Sequence, residues 1–288
     1  MMYKRLYFII LFCIPSFVRA QIDSIYKDSL ENIEYQLEGL SYNMLNSSDL
    51  EERTTSNLYF ILTLKKALSI PQSFDYEFNK IKTVSILKSP DNRFRLFTWN
   101  VILDSFKYAY YGAIQMQKDD SLILHGLLDS SEYNKHPKYV EVDKKHWIGA
   151  VYYQIHQVTY KKEKYYMLFG WDGEDTKINK KIVDILWFDQ KENPHFGKPI
   201  FEMIDGETQH RLIFEFADRA VMLCRYDARE KKLIYSHLSP VNPMMKGLHS
   251  EYYPDGTYDY FEFQKGKWFQ REFVFKNRAK NSFKLRNK

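Results

Sequence analysis

From Lys82 almost to its end, the chain alternates short apolar strands with turn signals, and this alternation constrains the fold more than any other feature. Most gaps between the predicted strands span about two to six residues, which suits antiparallel hairpins and leaves no room for crossover helices. The first hairpin turns at residues 90–93, where Pro90 presets the backbone angle and Asp91 and Asn92 tolerate turn conformations. The predicted strands are 82–88, 93–101, 107–117, 120–128, 147–159, 164–171, 181–189, 198–203, 210–217, 220–227, 232–238, 249–253, 257–264 and 267–275.

Two amphipathic helices are predicted before the first strand. Apolar residues at helical spacings mark the first in residues 22–46, and the second starts at a capping box of Ser48 and Glu51 and ends before Pro71. The short polar turn between them favours an antiparallel pair, which either packs on the strands or offers an apolar face to a partner. The predicted core positions are Ile25, Leu30, Ile33, Leu37, Leu40 and Met44 in the first helix and Leu58, Ile61, Leu62, Leu64 and Leu68 in the second.

The predicted fold class is therefore mainly β: an antiparallel meander, either propeller-like or a curled sheet or sandwich, preceded by a pair of α-helices. One internal sequence similarity bears on the choice between a propeller and a curled sheet or sandwich. Residues 90–97 (PDNRFRLF) and 254–261 (PDGTYDYF) both join a Pro-Asp turn to aromatic residues. Their separation of 164 residues equals four intervals of about 41, the length of one four-stranded propeller blade. Positions near 131 and 213 show nothing comparable, so both architectures stay open.

Residues 1–20 are predicted to be a signal peptide, with a basic start, an apolar run and the small residue Ala20 at the cleavage point. Lipidation at Cys13 is the alternative, but bulky Phe12 occupies the position where lipoprotein signals carry a small residue. No later stretch reaches the roughly 18 apolar residues of a membrane span, so we expect an exported protein that is periplasmic or associated with the outer membrane. The segments predicted after the signal peptide are a helical segment (21–70), an antiparallel β domain (71–275) and a basic tail (276–288).

The net charge of +5 is carried by the two ends of the chain. Residues 1–20 contain three basic side chains and no acidic one, and residues 276–288 contain six and none. Without those nine cations, residues 21–275 carry a charge of −4, whereas a nucleic-acid reader is expected to show a basic face on its body. We therefore predict no nucleic-acid partner, and only a weak contact of the basic tail with anionic surfaces, which salt weakens.

The sequence carries no recognised catalytic motif. A nucleophile elbow, a zinc-binding H-E-x-x-H pair and a phosphate loop are absent, and the eight histidines are scattered without metal-ligand spacing. Cys224, the thiol that remains after cleavage, lies in an apolar run and is predicted to be a small buried hydrophobe. These features favour a protein without catalysis and without a cofactor.

The strongest candidate for a ligand site is the turn sequence GWDGED at residues 170–175. Trp171 stands beside three carboxylates, Asp172, Glu174 and Asp175, on a glycine-containing loop. Three interpretations stay open: a solvated hairpin turn with the tryptophan packed inside, a Ca²⁺ site built from carboxylate oxygens, or a glycan site in which the ring stacks on a sugar. Paired acids also permit glycoside hydrolysis, which needs two carboxyl groups about 5–10 Å apart.

Four strings in the sequence carry a family resemblance: SILKSPDNRFRLFTWNV, YYMLFGWDGEDTKINKKIVDILWFD, RYDAREKKLIYSHLSP and YYPDGTYDYFEFQKGKW. With them, residues 70–275 resemble a family of uncharacterised exported proteins from Bacteroidota. The resemblance implies an exported address and a β-rich architecture, and it transfers no activity, substrate or catalytic residue. The helical segment and the basic tail lie outside it.

Binding is the function class that these features favour. Aromatic rows such as Tyr108, Tyr110 and Tyr111 are candidate interaction surfaces, and the long loops at 129–146 and 239–248 are where binding tends to occur on a rigid sheet. We predict an exported accessory protein of the cell envelope without catalysis, such as a subunit of an outer-membrane assembly, with an envelope protein as its partner. The alternative is a glycan-binding or glycan-hydrolysing protein that uses the loop from Trp171 to Asp175.

Overall fold

The computed structural model describes residues 22–104, 107–118, 121–173 and 175–272; the predicted signal peptide, the basic tail and Glu174 lie outside these residues. Two N-terminal helices are followed by three sheets that are almost entirely antiparallel, so the predicted fold class is confirmed. The helices and the sheets stack as four layers, each joined to the next by a hydrophobic cluster.

The helices α1 (Ser24–Asn46) and α2 (Leu50–Leu68) pack against each other and against the first sheet. The predicted capping box at Ser48 and Glu51 is wrong. Helix α2 begins after Asp49, whose carboxylate accepts a hydrogen bond from the backbone N–H of Glu51 at 3.2 Å. An aspartate oxygen satisfies the free N–H donors of a helix start as well as a serine oxygen does, so the cap moves by one residue.

The buried face of the helical pair differs from the predicted one mainly in α2. Leu58, Ile61 and Leu62 are exposed there, with exposed fractions of 55%, 37% and 55%. In α1, Ile25 is exposed and Leu40 is partly buried. The buried positions that the sequence predicts correctly are Leu30, Ile33, Leu37 and Met44 in α1 and Leu64 and Leu68 in α2.

A polar contact sets the rotation of α2. Trp99 Nε1 donates to Asn57 Oδ1 at 2.8 Å, and the Phe60 ring meets the Trp99 ring edge-on at 5.2 Å. With Asn57 and Phe60 facing the sheet, the helical repeat of 100° per residue turns Leu58 and Leu62 outward. Hydropathy alone places the asparagine outside, which is why the predicted stripe is rotated.

The first sheet confirms the opening hairpin of the sequence. Residues 90–93 form the predicted turn, in which the Ser89 N–H donates to the Phe94 carbonyl oxygen at 2.9 Å and Asn92 has a φ of 56°. Asparagine tolerates this left-handed conformation better than most residues. The strands of this sheet, in order, are β1 (Ser85–Lys88), β2 (Phe94–Asp104), β3 (Lys107–Met116) and β4 (Leu124–Leu128).

The second and third sheets complete the β domain. The second sheet has the order β5 (Val142–Asp143), β9 (Pro194–Phe196), β8 (Ile178–Phe188), β7 (Glu163–Asp172) and β6 (Val151–Tyr160), with β12 (Leu212–Ala217) paired to the first half of β8. The third has the order β11 (Thr208–Gln209), β10 (Phe201–Glu202), β16 (Lys267–Arg271), β15 (Tyr252–Gln264), β14 (Lys232–Pro240) and β13 (Cys224–Asp227). The pair β10–β16 is parallel. The strands β5, β9 and β11 lie where the sequence predicts none.

Strand β15 corrects the predicted division near Pro254. The sequence predicts two strands on either side of a Pro-Asp turn, but one continuous strand runs through it, with Gly256 at a φ of +88° and a register shift opposite, between Ser236 and Leu238. A glycine adopts this conformation without a steric penalty, so the strand bends instead of turning back. The similar motif at residues 90–97 makes a hairpin, and the two motifs are therefore not structural repeats.

The second sheet is buried on both faces. One hydrophobic cluster joins it to the first sheet, and another joins its opposite face to the third sheet. The helices cover the outer face of the first sheet, so the four layers form an open series from the helices to the third sheet. Cys224 lies in the second cluster as the predicted buried hydrophobe, and burial raises the pKa of its thiol to about 12.

Candidate functional site

The predicted ligand turn closes the hairpin between β7 and β8. Trp171 is half-buried: its Nε1 donates to Asn179 Oδ1 at 3.0 Å, and its ring meets the Tyr108 ring edge-on at 5.7 Å. Asp175 accepts hydrogen bonds from the backbone N–H groups of Lys177 and Ile178 at 2.6 and 2.8 Å, so its carboxylate is engaged within its own turn.

Asp172 points the other way, into the protein. Only 7% of this residue is exposed, and its carboxylate lies 3.8 Å from Lys180 Nζ. Burial raises the pKa of the Asp172 carboxyl, and the Lys180 charge and a hydrogen bond with Tyr110 oppose that shift. Within the described ranges, no three His, Cys, Asp or Glu side chains lie close enough together to hold a metal ion. The observed carboxylates therefore do not converge on a cation.

Asp172 belongs to a row of charges that crosses three elements, and the sequence did not reveal it. Lys180 pairs in register with Asp172 on β7 and with Glu215 on β12, and Glu215 contacts the imidazole of His249. Opposite charges on directly paired residues stabilise a sheet. The row of charges therefore has a structural role: it stabilises the pairing of β7, β8 and β12.

A cleft lies beside the turn, where the first residues of β3, 107–110, extend beyond the end of β4 at Leu128. We call it the tyrosine cleft; it has a volume of about 370 Å³, within the range of small-ligand sites. Tyr110 connects it to the turn, because the Tyr110 hydroxyl accepts a hydrogen bond from the Gly173 N–H at 2.8 Å. The residues that line the cleft are Leu103, Lys107, Tyr108, Ala109, Tyr110, Tyr111, Leu127, Leu128, Asp129, Ser131, Glu132 and Tyr133.

The polar and aromatic groups of the tyrosine cleft have different roles. The carboxylate of Asp129 accepts hydrogen bonds from the backbone N–H groups of Tyr110, Ser131 and Gly149 at 3.3, 3.0 and 3.1 Å, so it holds the cleft floor together. Tyr133, at the rim, is 84% exposed. An exposed ring over an ordered floor can stack on the apolar face of a flat ligand.

The helical pair carries a second candidate surface. We call it the helix outer surface, and it consists of exposed apolar side chains on the solvent side of both helices: Tyr35, Leu58, Tyr59, Ile61 and Leu62. On α2 these residues lie between exposed threonines and exposed lysines. An apolar centre with a polar rim is typical of a protein-binding surface.

No family model, curated protein or solved structure matches the chain. The candidate sites therefore follow from the geometry of this chain.

Proposed function

We propose that this protein is an exported binding protein of the cell envelope without catalysis, an accessory subunit that holds an envelope protein through the helix outer surface. The observation that carries this proposal is the outward rotation of α2. Leu58, Ile61 and Leu62 recur at helical spacing on its exposed side, the arrangement with which amphipathic helices enter grooves of partner proteins.

The energetic balance of the helical pair supports this role. The face toward the first sheet is already filled by Leu64, Leu68 and Phe60, so the exposed leucines contribute little to folding. Burying one large aliphatic side chain in an interface gains about 1.5–3 kcal/mol. Tyr59, which is 55% exposed on the same helix, adds a residue type in which interaction hot spots are enriched.

The proposed localisation in the cell envelope rests on the predicted signal peptide and on the resemblance to exported proteins. Among the described residues, neither helix has the length and apolar content that a membrane crossing requires. A partner in the outer membrane is the means by which we propose that the protein is held in the envelope.

The proposal is tested by a pull-down of the tagged protein from mildly solubilised native envelopes, with co-purified proteins identified by mass spectrometry. The unsubstituted protein is expected to recover a stoichiometric partner, and Leu62→Asp is expected to abolish this recovery. A carboxylate on the helix outer surface would be desolvated without a partner on binding. Ile204→Asp is the matched control, because Ile204 is 58% exposed in the turn between β10 and β11. Recovery of the same partner with Leu62→Asp, or recovery of the unsubstituted protein alone, contradicts the proposal.

The second candidate function is glycan binding in the tyrosine cleft. The observation that favours it is the exposed Tyr133 ring over a cleft that also contacts the Trp171 ring through Tyr108. Hydrolysis has less support, because Asp172 is buried, Asp129 holds backbone donors and Asp175 is engaged in its own turn.

Tyr133→Ala is expected to weaken binding of soluble envelope polysaccharide by about tenfold, since a stacking ring contributes roughly 1–1.5 kcal/mol. Calorimetric titration measures the change. Tyr35→Ala, which removes an exposed tyrosine from α1, is the control and should bind as the unsubstituted protein does. Equal affinities for all three proteins, or no binding at all, would exclude the glycan function.

A further inference from the structure

The connection between β14 and β15 exposes a run of large apolar side chains. All of residues 241–248 are exposed, and we call this segment the apolar loop. Met244 is 85% exposed at its tip, and Val241, Met245 and Leu248 are also exposed. We propose that the apolar loop inserts into the surface of a lipid bilayer.

The backbone N–H groups near the tip of the apolar loop have their hydrogen-bond acceptors within the protein. Lipid offers no hydrogen-bond partners, so a segment that enters it must satisfy its own N–H groups. Every backbone N–H of residues 244–248 has an acceptor within the protein. The pairs are Met244 N–H to Asn242 Oδ1 (3.0 Å), Met245 N–H to Asn242 O (2.8 Å), Lys246 N–H to Pro243 O (3.3 Å), Gly247 N–H to Tyr252 Oη (3.1 Å) and Leu248 N–H to Met245 O (3.0 Å).

The charge of the loop matches an anionic lipid surface. Residues 241–248 contain one cation, Lys246, and no acidic residue. A lysine between apolar residues can bury its aliphatic stem and keep its ammonium among the headgroups. At the base of the loop, His249 contacts Glu215 and meets the Tyr252 ring at 5.2 Å, so the tip projects from an anchored base.

The position of the loop favours a bilayer over a protein groove. Leu223 is hydrogen-bonded to Ser236 in the middle of β14. Because β13 is antiparallel to β14, the segment before β13, which contains the 90% exposed Val221, runs toward the end of β14 from which the loop leaves. Exposed apolar side chains from two separate connections therefore lie toward the same end of the third sheet. A fluid bilayer surface accommodates such projections without a matching cavity.

This inference is independent of the proposed protein partner. The helices cover the first sheet, whereas the apolar loop belongs to the third, so the two surfaces lie on different layers. A test with vesicles contains no protein partner and therefore separates the two proposals.

Leu248→Asp is expected to weaken binding to vesicles of equal parts phosphatidylcholine and phosphatidylglycerol by about tenfold, because the carboxylate opposes insertion. Co-sedimentation of the full chain with the vesicles measures this. Ile204→Asp is the matched control: Ile204 is 58% exposed and Leu248 is 50% exposed, and Ile204 lies in the turn between β10 and β11, outside both proposed binding surfaces. Lys246→Gln should lose about fivefold on these vesicles and nothing on phosphatidylcholine alone.

A reporter at the tip tests insertion directly. Met244→Trp is expected to shift its fluorescence to shorter wavelength when vesicles are added. The inference is overturned if the protein stays in the supernatant, if Leu248→Asp and Ile204→Asp bind equally, or if the Trp emission does not change. Loss of a protein partner with Leu248→Asp, without vesicle binding, would assign the loop to a protein instead and would also overturn it.

Discussion

Asp184→Ala is expected to lower the free energy of unfolding by about 3–5 kcal/mol, because it leaves a buried cation without its counter-charge. The side chains of Asp184 and Arg211 are both fully buried, and Asp184 Oδ1 lies 3.1 Å from Arg211 Nε. Asp184 lies on the face of β8 that packs on the first sheet, and Arg211 immediately precedes β12. Chemical denaturation of the purified protein measures the loss.

The surroundings of this ion pair explain the size of the effect. Arg211 Nη1 donates to the carbonyl oxygens of Pro137 and Val140, the second at 3.1 Å, and so ties the long loop before β5 to the sheet. Tyr152 closes the other side: burial raises the pKa of its hydroxyl, and the Asp184 charge adds to that shift. The guanidinium is fully buried and its acceptors on Pro137 and Val140 are neutral carbonyl oxygens, so removal of Asp184 leaves its charge without a counter-ion.

A double substitution separates the cost of an unpaired charge from the loss of packing. Asp184→Leu combined with Arg211→Met should recover most of the stability lost by Asp184→Ala, since apolar replacements of a buried pair are often neutral. Glu163→Ala is the exposed control: its partner Lys198 lies at 2.6 Å on the surface, and the loss should stay below about 1 kcal/mol. A loss at Asp184 as small as the loss at Glu163 would show that the buried pair does not stabilise the fold.

The local half of this fold could be predicted from the sequence. The turn at residues 90–93, the helical pair and most strand positions are encoded in neighbouring residues, so short gaps and turn chemistry identify them. The tyrosine row on β3 was visible in the same way. Which tyrosines line a cleft was not, because exposure there depends on where β4 ends.

The non-local half could not be predicted, because it depends on which segments meet. Arg211, the partner of Asp184, lies between β11 and β12, and Tyr110, one of the partners of Asp172, comes from another sheet. No spacing in the sequence encodes either contact. The rotation of α2 could not be predicted for the same reason. Asn57 faces inward, where it accepts a hydrogen bond from the Trp99 indole, and Trp99 is distant in the sequence.

Arg95→Met is expected to lower the free energy of unfolding by about 2–4 kcal/mol, for the opposite reason to Asp184→Ala: it leaves buried acceptors without a donor. Arg95 is 3% exposed on β2. Its guanidinium donates to Gln115 Oε1 at 2.7 Å, to the Ser73 carbonyl oxygen at 2.7 Å and to the Tyr76 carbonyl oxygen. These bonds fasten the segment after α2 to the first sheet.

A neighbouring cation distinguishes this effect from the loss of any positive charge. Lys88 pairs at 2.9 Å with Asp75, which lies in the segment after α2, but both side chains are exposed. Lys88→Met should therefore lower the free energy of unfolding by less than about 1 kcal/mol. Arg95→Lys should fall between the two, because an ammonium keeps the charge but cannot reach all the acceptors that the planar guanidinium holds. If Arg95→Lys were as stable as the unsubstituted protein, charge alone would matter at this position. If Arg95→Met cost no more than Lys88→Met, the network would not hold the helical segment on the β domain.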